Sequence, residues 1–219
     1  MRLLLIILIG LLGCNQDPTL KYNANASPLD KLKEGNERFM KGHSIHPDES
    51  LARIKEIKKA QHPFVTVVSC SDSRIPPELI FDQGLGDIFT IRTAGNVIGD
   101  YELGSVEYAV EHLECKLIVV LGHESCGAIQ AFLSSGNERH KDHIQNIIDY
   151  LSKEQEQKDI LDSLTSNPDL AVRANIQHGV TLLKNSTPIL KSMYESKKVK
   201  IIGAYYDLDN GKVTFDESH

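Results

Sequence analysis

Two short runs carry most of the reactive side chains in this sequence: SCSDSR, residues 69–74, and HESC, residues 123–126. The first sets a thiol, a carboxylate and a guanidinium at alternate positions, Cys70, Asp72 and Arg74, directly behind the apolar run FVTVV. In an extended segment alternate side chains share a side, so these three are expected to converge at the end of a strand. The second run places an imidazole and a thiol three residues apart, behind the apolar run KLIVVLG. At a strand-to-helix turn that spacing brings both groups onto one side, and Gly122 and Gly127 are expected to let the backbone bend. Cys70, His123 and Cys126 together make a Cys2His set, the donor complement of a catalytic zinc site with one position left over. Neither run is specific alone, because a cysteine before a turn is often a buried apolar residue. Their combination on two strand ends points to a metal site. The other paired histidines, His43 with His46 and His140 with His143, lie in polar stretches and read as solvated surface.

Such a site requires two strands that end side by side, as in open α/β sheets, where ligands bind outside the carboxyl ends of the strands. The pattern supplies them. Ser27 before Pro28 is an N-cap signal for a helix running to about Gly42, and a second amphipathic helix is expected from Glu49 to Ala60. Strands are predicted at FVTVVS, DIFTIR, KLIVVLG and VKIIGAYYDL, the third a nearly continuous apolar run suited to cover on both faces. Between them, residues 101–114 place Leu103, Val106, Ala109, Val110 and Leu113 on one helical face, and a further helix starts near Cys126. From about Arg139 to Glu195 the pattern is polar and helical, broken at SNPD, and DLDNGKVTF reads as a hairpin with Asn210 and Gly211 in its turn. Strands alternating with helices imply an α/β fold with a mostly parallel central sheet flanked by helices.

The 219 residues carry 24 Lys and Arg against 30 Asp and Glu, a net charge of −6, without a basic block. That balance speaks against nucleic acid as a partner. The N-terminus, MRLLLIILIGLLGC, is too short an apolar run to span a bilayer as a helix and reads as the core of an export signal. Its LLGC ending resembles a bacterial lipobox, which makes Cys14 the lipidated first residue of the mature chain; a short signal cleaved elsewhere is the alternative. On the lipobox reading, residues 1–13 are signal, 14–27 a lipidated tether and 28–219 the domain. The product is then an exported lipoprotein held on a membrane, facing the periplasm. With Cys14 lipidated and Cys70 and Cys126 on a metal, Cys115 remains alone and is expected to be a small core residue.

The segments CSDSR (70–74), RTAGNV (92–97), EYAVEHL (107–113) and VVLGHESCGAI (119–129) together resemble the β-class carbonic anhydrases, plant-type branch. The likeness extends less specifically from about Ser27 to Phe215. It implies one zinc ion per chain on Cys70, His123 and Cys126, with Asp72 and Arg74 as the catalytic pair. Asp72 is also a possible fourth zinc ligand in a closed state. In some bacterial members closure is linked to a bicarbonate site using a Trp three residues before the first Cys; here that position is Val67, which implies an open site. Gln61, Phe89 and Tyr108 match residues that contact substrate, although a polar residue closing a helix and two core aromatics would read the same way. The implied reaction is reversible hydration of carbon dioxide to bicarbonate and a proton. The implied assembly is a homodimer or larger, with N-terminal helices packed across the partner. Hydrolysis of carbon disulfide or carbonyl sulfide, a non-catalytic zinc lipoprotein, and a thiol enzyme using Cys70 with His123 as base are the alternatives.

Overall fold

A computed structural model describes residues 23–135, 139, 141–153 and 167–217. The signal segment, Cys14 and His140 lie outside the described residues. Strands β1 (Val65–Cys70), β2 (Ile88–Thr93), β3 (Leu117–His123), β4 (Lys200–Tyr206) and β5 (Val213–Asp216) form one sheet in the order β2-β1-β3-β4-β5. All neighbours are parallel except β4 and β5, which close the antiparallel hairpin read from the sequence. Every residue of β1 and of β3 is buried, as strands covered on both faces must be. In register, Cys70 faces Thr93 on one side, while Ser69 faces Leu121 on the other. The carboxyl ends of β1 and β3 therefore lie next to each other, and the two reactive runs emerge side by side.

Helix α1 (Pro28–Met40) starts where Ser27 Oγ accepts the Asp30 amide. It seats on its own chain: Asn36 donates to the Ile80 and Gly211 carbonyls and accepts from the Val213 amide. Arg38 is buried against Asp82, and Asp82 in turn accepts the Ile45 and His46 amides. Helix α2 (Leu51–Ile57) is shorter than the expected 49–60. None of its residues is buried, and Leu51 stays 77% exposed, so among the described residues the apolar positions that suggested a longer helix gain little packing to sustain further turns. Next come α3 (Pro77–Ile80), a 3-10 turn at Ala94–Asn96, and α4 (Asp100–His112), whose Glu102 accepts the Gly99 amide. After β3 follow α5 (Gly127–Ser134), α6 (Ile144–Lys153), α7 (Pro168–Asn185) and α8 (Leu190–Glu195).

Helix α7 lies flat on β3 and β4. A Cβ at Gly122 or Gly203 would stand 2.6 or 2.7 Å from the Ile176 side chain, so these two glycines let the helix backbone approach the sheet. Gly122 was expected to serve the bend after β3; its place is instead to make room for Ile176. Cys115 is buried and donates its thiol to the Pro63 carbonyl, the core role expected for it.

Candidate metal centre

The cluster forms where β1 and β3 end. Cys70 is the last residue of β1, His123 the last of β3, and Cys126 caps the N-terminus of α5. The donor atoms of the three lie within 4.8 Å of one another, and all three side chains are buried. The turn that brings Cys126 back to His123 is made by Ser125 at φ 52°. Gly127 has no positive φ, so the glycines flanking HESC are not what bends the chain.

The donor chemistry fits a zinc ion. His123 Nδ1 lies 2.8 Å from the Glu124 carbonyl and donates to it, which leaves the lone pair on Nε2 pointing inward. That Nε2 is buried and has no hydrogen-bond partner, a costly arrangement that a cation between the thiols resolves. The two cysteines share one negative charge as they stand. Donation from the Cys126 thiol, together with the Gly95 and Asp72 amides, holds the Cys70 thiol well below its usual range against the effect of its burial. The Cys70 thiolate and burial push Cys126 far up. A divalent cation allows both to ionise, since thiolates are its natural ligands.

Asp72 and Arg74 are brought together differently from the expected extended alternation. The strand ends at Cys70, and residues 72–75 turn, the Ile75 amide donating to the Asp72 carbonyl at 3.2 Å. Arg74 then folds back on Asp72 with Nε to Oδ1 at 2.9 Å and Nη2 to Oδ2 at 2.7 Å, a bidentate pair, and its own amide also donates to Oδ1. The Arg74 hydrogen bonds hold the Asp72 carboxyl down to about 2. Asp72 Oδ2 stands 3.9 Å from His123 Nε2, so the carboxylate borders the cluster while being held by Arg74.

Three further residues support this arrangement, and the sequence reading did not assign them these tasks. Arg92, opposite Ser69 on β2, donates to the carbonyls of Cys70 (3.0 Å) and Asp72 (2.6 Å), clamping the backbone on both sides of Ser71. Gly95 donates its amide to Cys70 Sγ at 3.2 Å. Asn175 of α7, 2% exposed, donates to the Gly95 carbonyl at 2.8 Å. The available signal was positional: Asn175 is a polar residue at i+4 from Ala171 and i+3 from Val172, on the apolar stripe of its helix.

Gln61, Phe89 and Tyr108 do not join the cluster of their own chain. Phe89 faces Thr66 in register, four residues before the end of β2, about 13 Å back along the strand. Its ring lies 6.2 Å from that of Tyr108 on α4. Gln61 is exposed in the segment that enters β1, again toward the amino ends of the strands.

The carbonic anhydrase family model matches residues 65–213, which hold every residue of the cluster. The chain belongs to the β-class carbonic anhydrase family. A carbonic anhydrase of Mycolicibacterium smegmatis is 52% identical over 124 residues, 57% of this chain and 57% of that protein. Carbonic anhydrase 2 of Mycobacterium tuberculosis is 37% identical over 187 residues, covering 83% of this chain and 87% of that protein. The crystal structure of the β-carbonic anhydrase CafA of Aspergillus fumigatus superposes with a TM-score of 0.66 at 29% identity, over 87% of this chain and 89% of that one. The mostly parallel five-stranded sheet is the fold of this family.

Proposed function

We propose that this β-class carbonic anhydrase chain catalyses reversible hydration of carbon dioxide at a zinc ion held by Cys70, His123 and Cys126. The observation that carries the reading is the unpartnered Nε2 of His123, set between two thiols with Asp72 held beside it. Zinc bound there supplies Lewis acidity that makes water a nucleophile near neutral pH. Asp72, ionised throughout that range, would accept a hydrogen bond from that water and aim its lone pair at the carbon. In the net reaction the water oxygen would bond to the carbon, one C=O bond would become the C–O⁻ of bicarbonate, and one water proton would leave to solvent. Arg74 holds the carboxylate by two side-chain hydrogen bonds and would so keep it available as the acceptor for that water. A thiol mechanism is disfavoured because Cys70 is only 5% exposed, which leaves an external substrate little access to its sulfur.

Because Gln61, Phe89 and Tyr108 lie away from the cluster within one chain, a second copy is proposed to bring them to it in a homodimer. Leu51 and Ile54, exposed on α2, are apolar surface that such a partner covers. Residues 1–13 are proposed to be an export signal and Cys14 the lipid-bearing anchor of a periplasmic lipoprotein, from the LLGC ending alone; membrane fractionation beside Cys14→Ser tests it.

The deciding experiment pairs metal analysis with a stopped-flow carbon dioxide assay. About one zinc per chain and turnover of carbon dioxide are expected, with Cys70→Ser, His123→Ala and Cys126→Ser each losing most of both. Full zinc and full activity in any of the three variants would remove the assignment. Turnover of carbonyl sulfide or carbon disulfide in place of carbon dioxide would change the substrate.

A further inference from the structure

We infer that Asn175 is a positioning residue for the metal centre, acting through Gly95 on the Cys70 sulfur; the inference rests on the metal-site reading above. The chain of contacts is short. Asn175 Nδ2 donates to the Gly95 carbonyl at 2.8 Å, and the Gly95 amide donates to Cys70 Sγ at 3.2 Å. Both contacts are buried, and both use the backbone of a single glycine.

That residue is a weak point without outside support. Gly95 sits at φ 71° and ψ 18°, a left-handed conformation inside the 3-10 turn, and glycine has the widest choice of alternatives. A Cβ at this position would stand 2.8 Å from the Ala128 Cβ, so a more rigid residue is excluded by packing. The amide that faces sulfur belongs to the peptide before the Gly95 Cα, and the carbonyl held by Asn175 belongs to the peptide after it. Fixing the second peptide fixes ψ and stops the turn from swinging its N–H away from the thiolate. Helix α7 is a sound place from which to do so, because Ile176, the next residue, is locked against Gly122 and Gly203. The task also explains why an amide side chain occupies the apolar stripe of α7, where a leucine, of similar branched shape but without a donor, would leave the Gly95 carbonyl buried and unpaired.

An N–H aimed at a thiolate withdraws electron density from sulfur and sets its orientation before the metal arrives. Asn175→Leu is therefore expected to change the sulfur–metal bond and not only the stability of the fold. In the cobalt-substituted full-length protein, the thiolate-to-cobalt charge-transfer band should move to longer wavelength as sulfur becomes more electron-rich. Zinc affinity, measured by competition with a chelator, should fall by about tenfold, the lower end of the range for outer-shell partners. Val180→Ala is the packing control, since it removes buried volume from the same helix without touching Gly95. It should lower the unfolding midpoint and leave the band in place.

An unchanged band and affinity in Asn175→Leu, or an equal shift in Val180→Ala, would overturn the inference. Asn175→Ala removes the donor without adding bulk, and it carries the same expectation if the leucine variant does not fold. Failure of both to fold while Val180→Ala folds would make Asn175 a residue of the fold alone and overturn the inference as well. Natural protein that takes up neither zinc nor cobalt would remove the metal reading, and this inference with it. Natural protein that binds both, with indistinguishable Asn175 variants, removes only the inference.

Discussion

Asp72 has two competing partners, the cation site beside it and the guanidinium of Arg74, and the geometry favours the second with two side-chain hydrogen bonds. The Arg74 contacts take its carboxyl to about 2, below the ordinary 3.8. A carboxyl depressed on folding adds stability that is present above 3.8 and lost as pH falls through 2. Arg74→Ala removes the side-chain bonds but keeps the backbone amide on Oδ1, so the Asp72 midpoint should move upward and stop short of 3.8. A carboxyl-carbon NMR titration of both proteins reads this directly; equal midpoints would show that Arg74 does not hold the carboxylate. With zinc retained, the freed Asp72 should also turn toward the metal and lower turnover by about tenfold or more, the usual effect of losing an outer-shell partner. The donor types were legible in the sequence because cysteine, histidine and aspartate announce their chemistry wherever they stand. Arg92 was not, since its side chain serves two backbone carbonyls and a backbone partner leaves no mark in the sequence.

Continuous apolar runs revealed β1 and β3, because a strand covered on both faces has no room for alternation. Their adjacency followed from the α/β pattern, and with it the meeting of the two reactive runs. The connections were less legible. Positive φ is associated with glycine and asparagine, so the glycines around HESC drew attention, whereas Ser125 makes the bend. Its strain is offset by the hydrogen bonds of the residue before it, the Glu124 amide to the Tyr206 carbonyl and the Leu208 amide to the Glu124 carboxylate. These partners lie some 80 residues away in the chain, beyond any local pattern. Helix α2 erred the other way: its apolar spacing promised 49–60, but a short helix with none of its residues buried does not extend, and Leu51–Ile57 is what forms. In α7 the helical character was visible but its buried stripe was not, and Asn175, the polar residue on that stripe, acquires meaning only once the turn at Ala94–Asn96 is placed against the helix.

At the scale of the molecule, the expected site residues divide into two groups. Cys70, Asp72, Arg74, His123 and Cys126 gather at the carboxyl ends of the strands, while Gln61, Phe89 and Tyr108 lie toward the amino ends. If both groups serve one reaction, each site is shared between two chains. A two-fold dimer then has two equivalent shared sites. This arrangement can be separated from a site within one chain by mixing two defective proteins. Cys126→Ser has no metal centre but an intact aromatic group, and the double variant Phe89→Ala, Tyr108→Ala has the reverse. In a mixed dimer one site inherits both defects and the other inherits neither. Random pairing from equal amounts gives mixed dimers in about half of the population, so about a quarter of all sites should be fully active. The carbon dioxide assay, run on the two chains co-expressed and again on the two proteins purified separately and combined without subunit exchange, reads the difference. Co-expressed activity near a quarter of the natural value, well above that of the unexchanged mixture, is expected. Activity no greater than the average of the two parents would place the whole site within one chain and leave Phe89 and Tyr108 as packing residues between β2 and α4.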